Sequence, residues 1–88
     1  MFEIEDISVK KLYFYTTAGC HLCEQAEEIL RTLPKKLNVS WESVDISESD
    51  ILISRYGTRI PVLHVVSTGM EKGWPFSKEE ILNWLQSD

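Results

Sequence analysis

The only two cysteines of the chain, Cys20 and Cys23, stand three positions apart between an apolar run and a helical pattern. The run at residues 12–15 is typical of a buried strand, and apolar positions at helical spacing follow from Leu22. The first thiol is therefore expected at a helix N-terminus, where free N–H groups and the helix dipole favour its thiolate. The second thiol would lie about one turn further on, within disulfide reach of the first. This pattern predicts thiol–disulfide exchange, with Cys20 attacking and Cys23 resolving.

Length and composition favour one small domain over residues 1–88. The hydrophobic fraction of 43% is ordinary for a globular protein and argues against disorder. The formal net charge of −5 argues against nucleic-acid and anionic-membrane partners, since both need basic patches. The acidic start of the chain lacks the basic region of a signal peptide, and no apolar run is long enough for a membrane span. We therefore expect a cytoplasmic protein, with residues 1–6 loosely ordered.

Hydrophobic periodicity predicts alternating strands and helices along the chain. Strands are expected at residues 11–16, 39–46, 61–66 and 70–74. Helices are expected from Leu22 to Pro34, from the polar cluster at residues 47–50 to Gly57, and after Ser77. The order βαβαββα indicates an α/β fold with a four-stranded mixed sheet flanked by helices, because a strand–helix–strand unit gives a parallel pair and a hairpin gives an antiparallel one.

The last helix has the clearest local signal. Ser77 and Glu80 match a capping box, in which each side chain bonds the backbone N–H of the other residue. Phe76 and Ile81 occupy the positions of a hydrophobic staple on either side of this box. The sequence therefore predicts that this helix begins directly after Ser77.

The element order, with Cys-X-X-Cys after the first strand and Ile60-Pro61 before the third, resembles the glutaredoxin branch of the thioredoxin fold. The likeness covers residues 11–87 and is closest to small bacterial glutaredoxin-like proteins with a Gly-Cys-His-Leu-Cys motif. The resemblance implies a single glutaredoxin-like domain with Cys20 as the exposed nucleophile and Cys23 as the resolving thiol. It also implies a cis peptide bond between Ile60 and Pro61, facing Cys20, with the Ile60 backbone pairing with an extended thiol substrate.

Three places depart from the usual dithiol glutaredoxin pattern. His21 and Leu22 replace the Pro-Tyr pair between the cysteines, and Thr17 stands where a lysine is frequent. Residues 72–77 lack the Gly-Gly-x-x-Asp-like turn that holds glutathione in the family. These differences concern glutathione binding and leave the dithiol chemistry intact.

The resemblance implies an oxidoreductase acting in electron transport and cell redox homeostasis. Its substrates would be protein or small-molecule disulfides, with glutathione or a thioredoxin-type reductase as alternative reductants. No resident cofactor is expected, and the protein is expected to be a monomer.

Two cationic or titratable side chains flank the predicted site. A protonated His21 would favour the Cys20 thiolate and raise the reduction potential, whereas a solvated imidazole would do neither. Arg59, next to Ile60-Pro61, is a candidate to bind a carboxylate of glutathione or of a peptide, and a solvated loop arginine is the alternative. His64 is expected to be a structural or exposed strand residue.

Two other functions remain open from the residues. The thiols, with His21 and His64, have the composition of a Cys₂His₂ zinc site, and an iron–sulfur cluster shared between subunits would use the same cysteines. Because His21 lies between the cysteines, it is badly placed to join them on one ion, and no metal site is predicted. The second alternative is a non-catalytic interaction domain with the same fold.

Overall fold

The computed structural model describes residues 10–87, and its elements follow the predicted order. They are β1 (Lys10–Thr16), α1 (His21–Arg31), β2 (Val39–Asp45), α2 (Asp50–Tyr56), β3 (Val62–Val65), β4 (Glu71–Gly73) and α3 (Lys78–Ser87). Short 3-10 turns precede β2 and α2. The βαβαββα order is therefore confirmed, whereas the loose ordering expected of residues 1–6 lies outside the described residues.

The four strands form one mixed sheet, as the sequence predicts, and their order in the sheet is β2-β1-β3-β4. β1 pairs with β2 in parallel and with β3 antiparallel, and β4 completes an antiparallel hairpin with β3. Tyr15, near the end of β1, lies opposite Val62 at the start of β3. The chain after Thr16 and the chain before Val62 therefore leave the sheet at the same end of its strands.

Alternate residues of the strands cover the first face of the sheet with apolar side chains. Leu12 and Phe14 of β1 and Leu63 and Val65 of β3 are buried there against α1 and α3. The helix residues of this cluster are Cys23, Ala26 and Leu30 of α1 and Ile81 and Leu85 of α3. Burial of each large side chain contributes roughly 1.5–3 kcal/mol, so this cluster is the main core.

The opposite face carries the intervening strand residues and is covered by the short helix α2. Tyr15 and Val62 pack there with Ile46 and with Tyr56 at the end of α2. His64 lies on the same face as Val62, because successive strand residues alternate between faces. α2 has only seven residues, so it covers less of the sheet than α1 and α3 cover on the other face.

Local capping sets the ends of the helices. Ser77 and Glu80 bond each other's backbone N–H groups at 2.8 and 3.1 Å, which confirms the capping box. Phe76 and Ile81 are both buried, as the staple predicts. α1 ends at Arg31, before Pro34, and the Thr32 hydroxyl donates to the Ile29 carbonyl at 2.8 Å. Within residues 10–87, no helix has the length and apolar character needed to cross a membrane.

Gly57 directly follows α2, as the sequence predicts, but it does so without a left-handed turn. Its φ of −53° is right-handed, so the helix does not end in a left-handed glycine turn. A Cβ at this position would lie 2.5 Å from the Ile53 carbonyl oxygen, a distance that no side chain tolerates. Glycine is therefore needed at the end of α2 because of a close backbone approach.

Candidate active site

Cys20 stands at the start of α1, after a tight turn that follows β1. Gly19 has a φ of 79°, a left-handed conformation that favours glycine, and it directs the chain into the helix. Cys20 is the extended N-cap residue, and its Sγ accepts a hydrogen bond from the Cys23 N–H at 3.1 Å. The first thiol therefore lies at the positive end of a helix, as the sequence predicts.

The two cysteines are joined in a disulfide, and their Cα atoms are 5.2 Å apart. This separation lies within the usual range for a disulfide. Cys23 is buried in the main core at 3% exposure, whereas Cys20 is only partly buried at its edge. An external sulfur therefore reaches Cys20 more easily than Cys23.

His21 is the first residue of α1 and points into solvent, with 89% of its side chain exposed. Its Nδ1 lies 3.7 Å from the Glu24 carboxylate, which is an ion-pair distance only when the imidazole is protonated. The Glu24 carboxylate would itself oppose a nearby thiolate, because like charges repel. A role for His21 in setting the Cys20 pKa stays a prediction.

The Ile60-Pro61 peptide bond is cis, as the resemblance to glutaredoxins implies. The segment directly precedes β3, so it lies at the same end of the strands as the start of α1. The Ile60 N–H donates to the Tyr56 carbonyl at 3.1 Å, and the Pro61 carbonyl accepts from the Trp74 N–H at 3.1 Å. The Ile60 N–H is therefore already hydrogen-bonded within the protein, and a substrate strand would have to compete with the Tyr56 carbonyl for it. The Trp74-Pro75 bond is also cis, which the sequence did not indicate.

Arg59 pairs with Glu71 of β4. One guanidinium nitrogen lies 3.3 Å from Glu71 Oε1, and the guanidinium carbon lies 5.4 Å from the centre of the Tyr56 ring. About half of the side chain, 49%, remains exposed. The predicted contact between Arg59 and a substrate carboxylate stays a prediction, but the guanidinium has an internal partner that the sequence did not reveal.

A polar cluster on the α2 face surrounds the Glu71 carboxylate. The Tyr56 hydroxyl donates to Glu71 Oε2, and the buried Nδ1 of His64 lies 3.4 Å from the same oxygen without hydrogen-bond geometry. The Tyr56 ring stacks on Tyr15 with centroids 4.3 Å apart. Sequence reasoning missed this cluster, because it depends on the pairing of His64 with Glu71 in the hairpin.

Burial and hydrogen bonding change the titration of this cluster. Burial, and then the hydrogen bond to Glu71, raise the pKa of Tyr56 to about 12. The hydrogen bond from Tyr56, and then Arg59, lower the pKa of the Glu71 carboxyl below its ordinary value. Glu71 therefore stays ionised at neutral pH and Tyr56 stays protonated.

The two histidines considered for a zinc site do not join the cysteine pair. His64 lies beside Glu71 on the α2 face, whereas Cys23 is packed in the core on the other face. His21 projects into solvent at the start of α1. In the part of the chain that the structure describes, no three histidine, cysteine or acidic side chains are grouped to hold a metal ion.

Comparison with known proteins supports the same fold. Residues 11–86 match the family model described as Glutaredoxin-like domain (DUF836). The X-ray structure of protein XcR50 from X. campestris is 36% identical, with 88% of this chain and 97% of that chain covered and a TM-score of 0.75. Protein Ne2328 from Nitrosomonas europaea is 32% identical, with 86% and 91% covered and a TM-score of 0.74.

Thioredoxins share the fold at lower identity. A mutant thioredoxin from Halobacterium salinarum is 20% identical, with 96% of this chain and 78% of that chain covered and a TM-score of 0.71. No curated protein sequence matches the chain significantly. The thioredoxin-like fold and the close Cys20–Cys23 pair support a redox-type function. With its family model matched over residues 11–86, the chain belongs to the glutaredoxin-like domain family.

Proposed function

We propose that the protein is a thiol–disulfide oxidoreductase that reduces protein or small-molecule disulfides through Cys20 and Cys23. The observation that carries this proposal is the unequal setting of the two sulfurs. Cys20 Sγ lies at the N-terminus of α1, accepts the Cys23 N–H and is partly exposed, whereas Cys23 is buried beside it. One thiol is thus suited to attack an external disulfide and the other to complete the exchange.

The reaction begins with the reduced protein. The Cys20 thiolate attacks one sulfur of the substrate disulfide, the substrate S–S bond breaks, and the leaving thiolate takes up a proton. Cys23, after losing its proton, attacks Cys20 Sγ and releases the second substrate thiol. Two electrons pass to the substrate, and the protein is left with the Cys20–Cys23 disulfide.

The protein contributes two features to these steps. The N–H groups at the start of α1 stabilise negative charge on Cys20, both in the thiolate and when Cys20 is the leaving group. Cys23 is buried in the core, so external sulfurs do not reach it. Its thiolate therefore reacts only with the neighbouring Cys20 sulfur. Two glutathione molecules, or the dithiol of a reductase, would return the protein to its reduced form.

The test is a redox titration of the purified protein in glutathione buffers, with free thiols alkylated and counted by mass. The expected result is one two-electron transition between about −270 and −180 mV, the range from thioredoxin to disulfide isomerase. Metal content is measured on the same sample. Absence of the Cys20–Cys23 disulfide under oxidising buffers would contradict the proposal.

Two matched variants separate the roles of the cysteines. Cys20→Ser is expected to abolish disulfide reduction, because it removes the attacking thiol. Cys23→Ser is expected to retain attack and to accumulate a mixed disulfide with the substrate, detected as an added mass on Cys20. Full dithiol reductase activity in Cys20→Ser would show that the roles are wrongly assigned.

A further inference from the structure

Glu71 forms an ion pair with Arg59, the residue that the sequence analysis proposed as a partner for a substrate carboxylate. Arg59 directly precedes Ile60-Pro61, at the end of the strands where α1 also begins. One nitrogen of its guanidinium lies 3.3 Å from Glu71 Oε1, and the guanidinium carbon lies 5.4 Å from the centre of the Tyr56 ring. Glu71 lies on the α2 face, opposite His64 in the hairpin, and both it and Arg59 contact Tyr56 at the end of α2.

We infer that Glu71 is a specificity-determining residue, which neutralises Arg59 and so disfavours disulfides that carry carboxylates, such as glutathione disulfide, relative to neutral disulfides. This inference rests on the proposed function, because it concerns the substrate of the same dithiol site. It assigns a role to a side chain on β4 that contacts neither cysteine.

Glu71 is held in place to act as this internal partner. The Tyr56 hydroxyl donates to Oε2, while Oε1 faces Arg59, so the two carboxylate oxygens have separate partners. His64 Nδ1 lies 3.4 Å from Oε2 on the strand beside Glu71. The carboxylate is 26% exposed, about half the 49% of Arg59, so it is the more firmly placed member of the pair. A substrate carboxylate must therefore compete with a fixed internal one.

The expected effect is modest, because the Arg59–Glu71 pair is partly exposed. Exposed ion pairs are weak and are screened by salt, so release of Arg59 should change substrate preference by about two- to fivefold. The quantity measured is the ratio of two second-order rate constants for oxidation of the reduced protein. One is measured with glutathione disulfide and the other with bis(2-hydroxyethyl) disulfide, which is neutral.

The principal variant is Glu71→Gln. The amide oxygen of glutamine still accepts from the Tyr56 hydroxyl, so the variant removes the charge and keeps the hydrogen bond. We expect the ratio to rise about two- to fivefold in favour of glutathione disulfide and the gain to shrink as salt is added. Glu71→Ala is the second variant, and it should raise the ratio in the same direction.

Two controls separate this effect from a general change in charge. Glu42→Gln changes the net charge equally on the same face of the sheet, but Glu42 pairs with Lys11 at 3.7 Å. It should leave the ratio unchanged. In an Arg59→Gln background, Glu71→Gln should no longer raise the ratio, since the released cation is absent.

The outcomes are distinguishable. A ratio unmoved by both Glu71 variants, or raised equally by Glu42→Gln or in the Arg59→Gln background, would overturn the inference while leaving the proposed function intact. Failure of the reduced native protein to react with either disulfide would overturn the proposed function, and the inference with it. Circular dichroism of each variant shows that the rates belong to folded protein.

Discussion

The two faces of the sheet differ in the forces that organise them. On the face covered by α1 and α3, side chains such as Phe14 and Leu63 belong to a cluster of buried apolar residues. On the face covered by α2, Tyr56 and His64 lie against the Glu71 carboxylate, and Tyr15 stacks on Tyr56. The same strands therefore present an apolar layer on one side and an aromatic layer with hydrogen-bonded polar groups on the other.

Each face supports one half of the proposed site. The apolar face positions α1, and with it the cysteine pair, through non-directional packing. The aromatic face positions the segment before β3 through hydrogen bonds, since the Tyr56 carbonyl accepts from the N–H groups of Arg59 and Ile60 at 2.8 and 3.1 Å. Substitutions on the apolar face should therefore alter global stability most. Substitutions on the aromatic face should alter the pH dependence of stability and the substrate preference.

The largest expected effect on stability is on the apolar face. Phe14→Ala should lower the free energy of unfolding by about 3–5 kcal/mol, because it removes a large buried ring and leaves a cavity. Urea unfolding followed by circular dichroism measures this loss. Val66→Ala, at a position 42% exposed just beyond β3, is the control and should stay within about 0.5 kcal/mol. A loss below about 1 kcal/mol for Phe14→Ala would contradict the assignment of this face as the main core.

Tyr56→Phe should have a smaller effect that depends on pH. The pKa of Tyr56 is raised from 10.0 to about 12, so the stabilisation linked to its proton is complete below pH 10 and is lost as pH rises to 12. The difference in unfolding free energy between native protein and variant should therefore fall by roughly 2–3 kcal/mol across this window.

The same variant should cost about 1–2 kcal/mol at neutral pH, because it removes the donor to the Glu71 carboxylate. Denaturant unfolding of both proteins at several pH values between 7 and 12 measures both effects. Parallel stability curves for the two proteins would show that the Tyr56 hydroxyl does not titrate as the structure requires.

The smallest effect should come from helix caps, which are independent of the two faces. Ser77 caps α3 on the apolar face and Ser49 caps α2 on the aromatic face, with hydroxyl contacts of 3.1 and 3.2 Å to backbone N–H groups. Ser77→Ala and Ser49→Ala should each lower unfolding free energy by about 1 kcal/mol. Thermal unfolding of the two variants would compare them directly. If one of the two substitutions has no cost, packing of that helix on the sheet, and not local capping, determines where the helix begins.

The sequence predicted strand ends less well than helix starts. β4 is limited to Glu71–Gly73, whereas residues 70–74 were expected, and β3 begins at Val62 instead of Pro61. Strand ends depend on which partner residues are present to form hydrogen bonds, and the partner strand is distant in sequence. The capping box of α3 was predicted correctly because Ser77 and Glu80 are only three residues apart.

The sequence by itself determined the order of the elements, the capping of α3 and the position of Cys20 at the start of α1, because these features depend on neighbouring residues. Only the tertiary structure brought Glu71 to Tyr56 and Arg59, which are 15 and 12 positions away. That meeting requires the register of β3 with β4 and the docking of α2 on the sheet. Both result from the packing of the whole domain, which no local pattern of residues encodes.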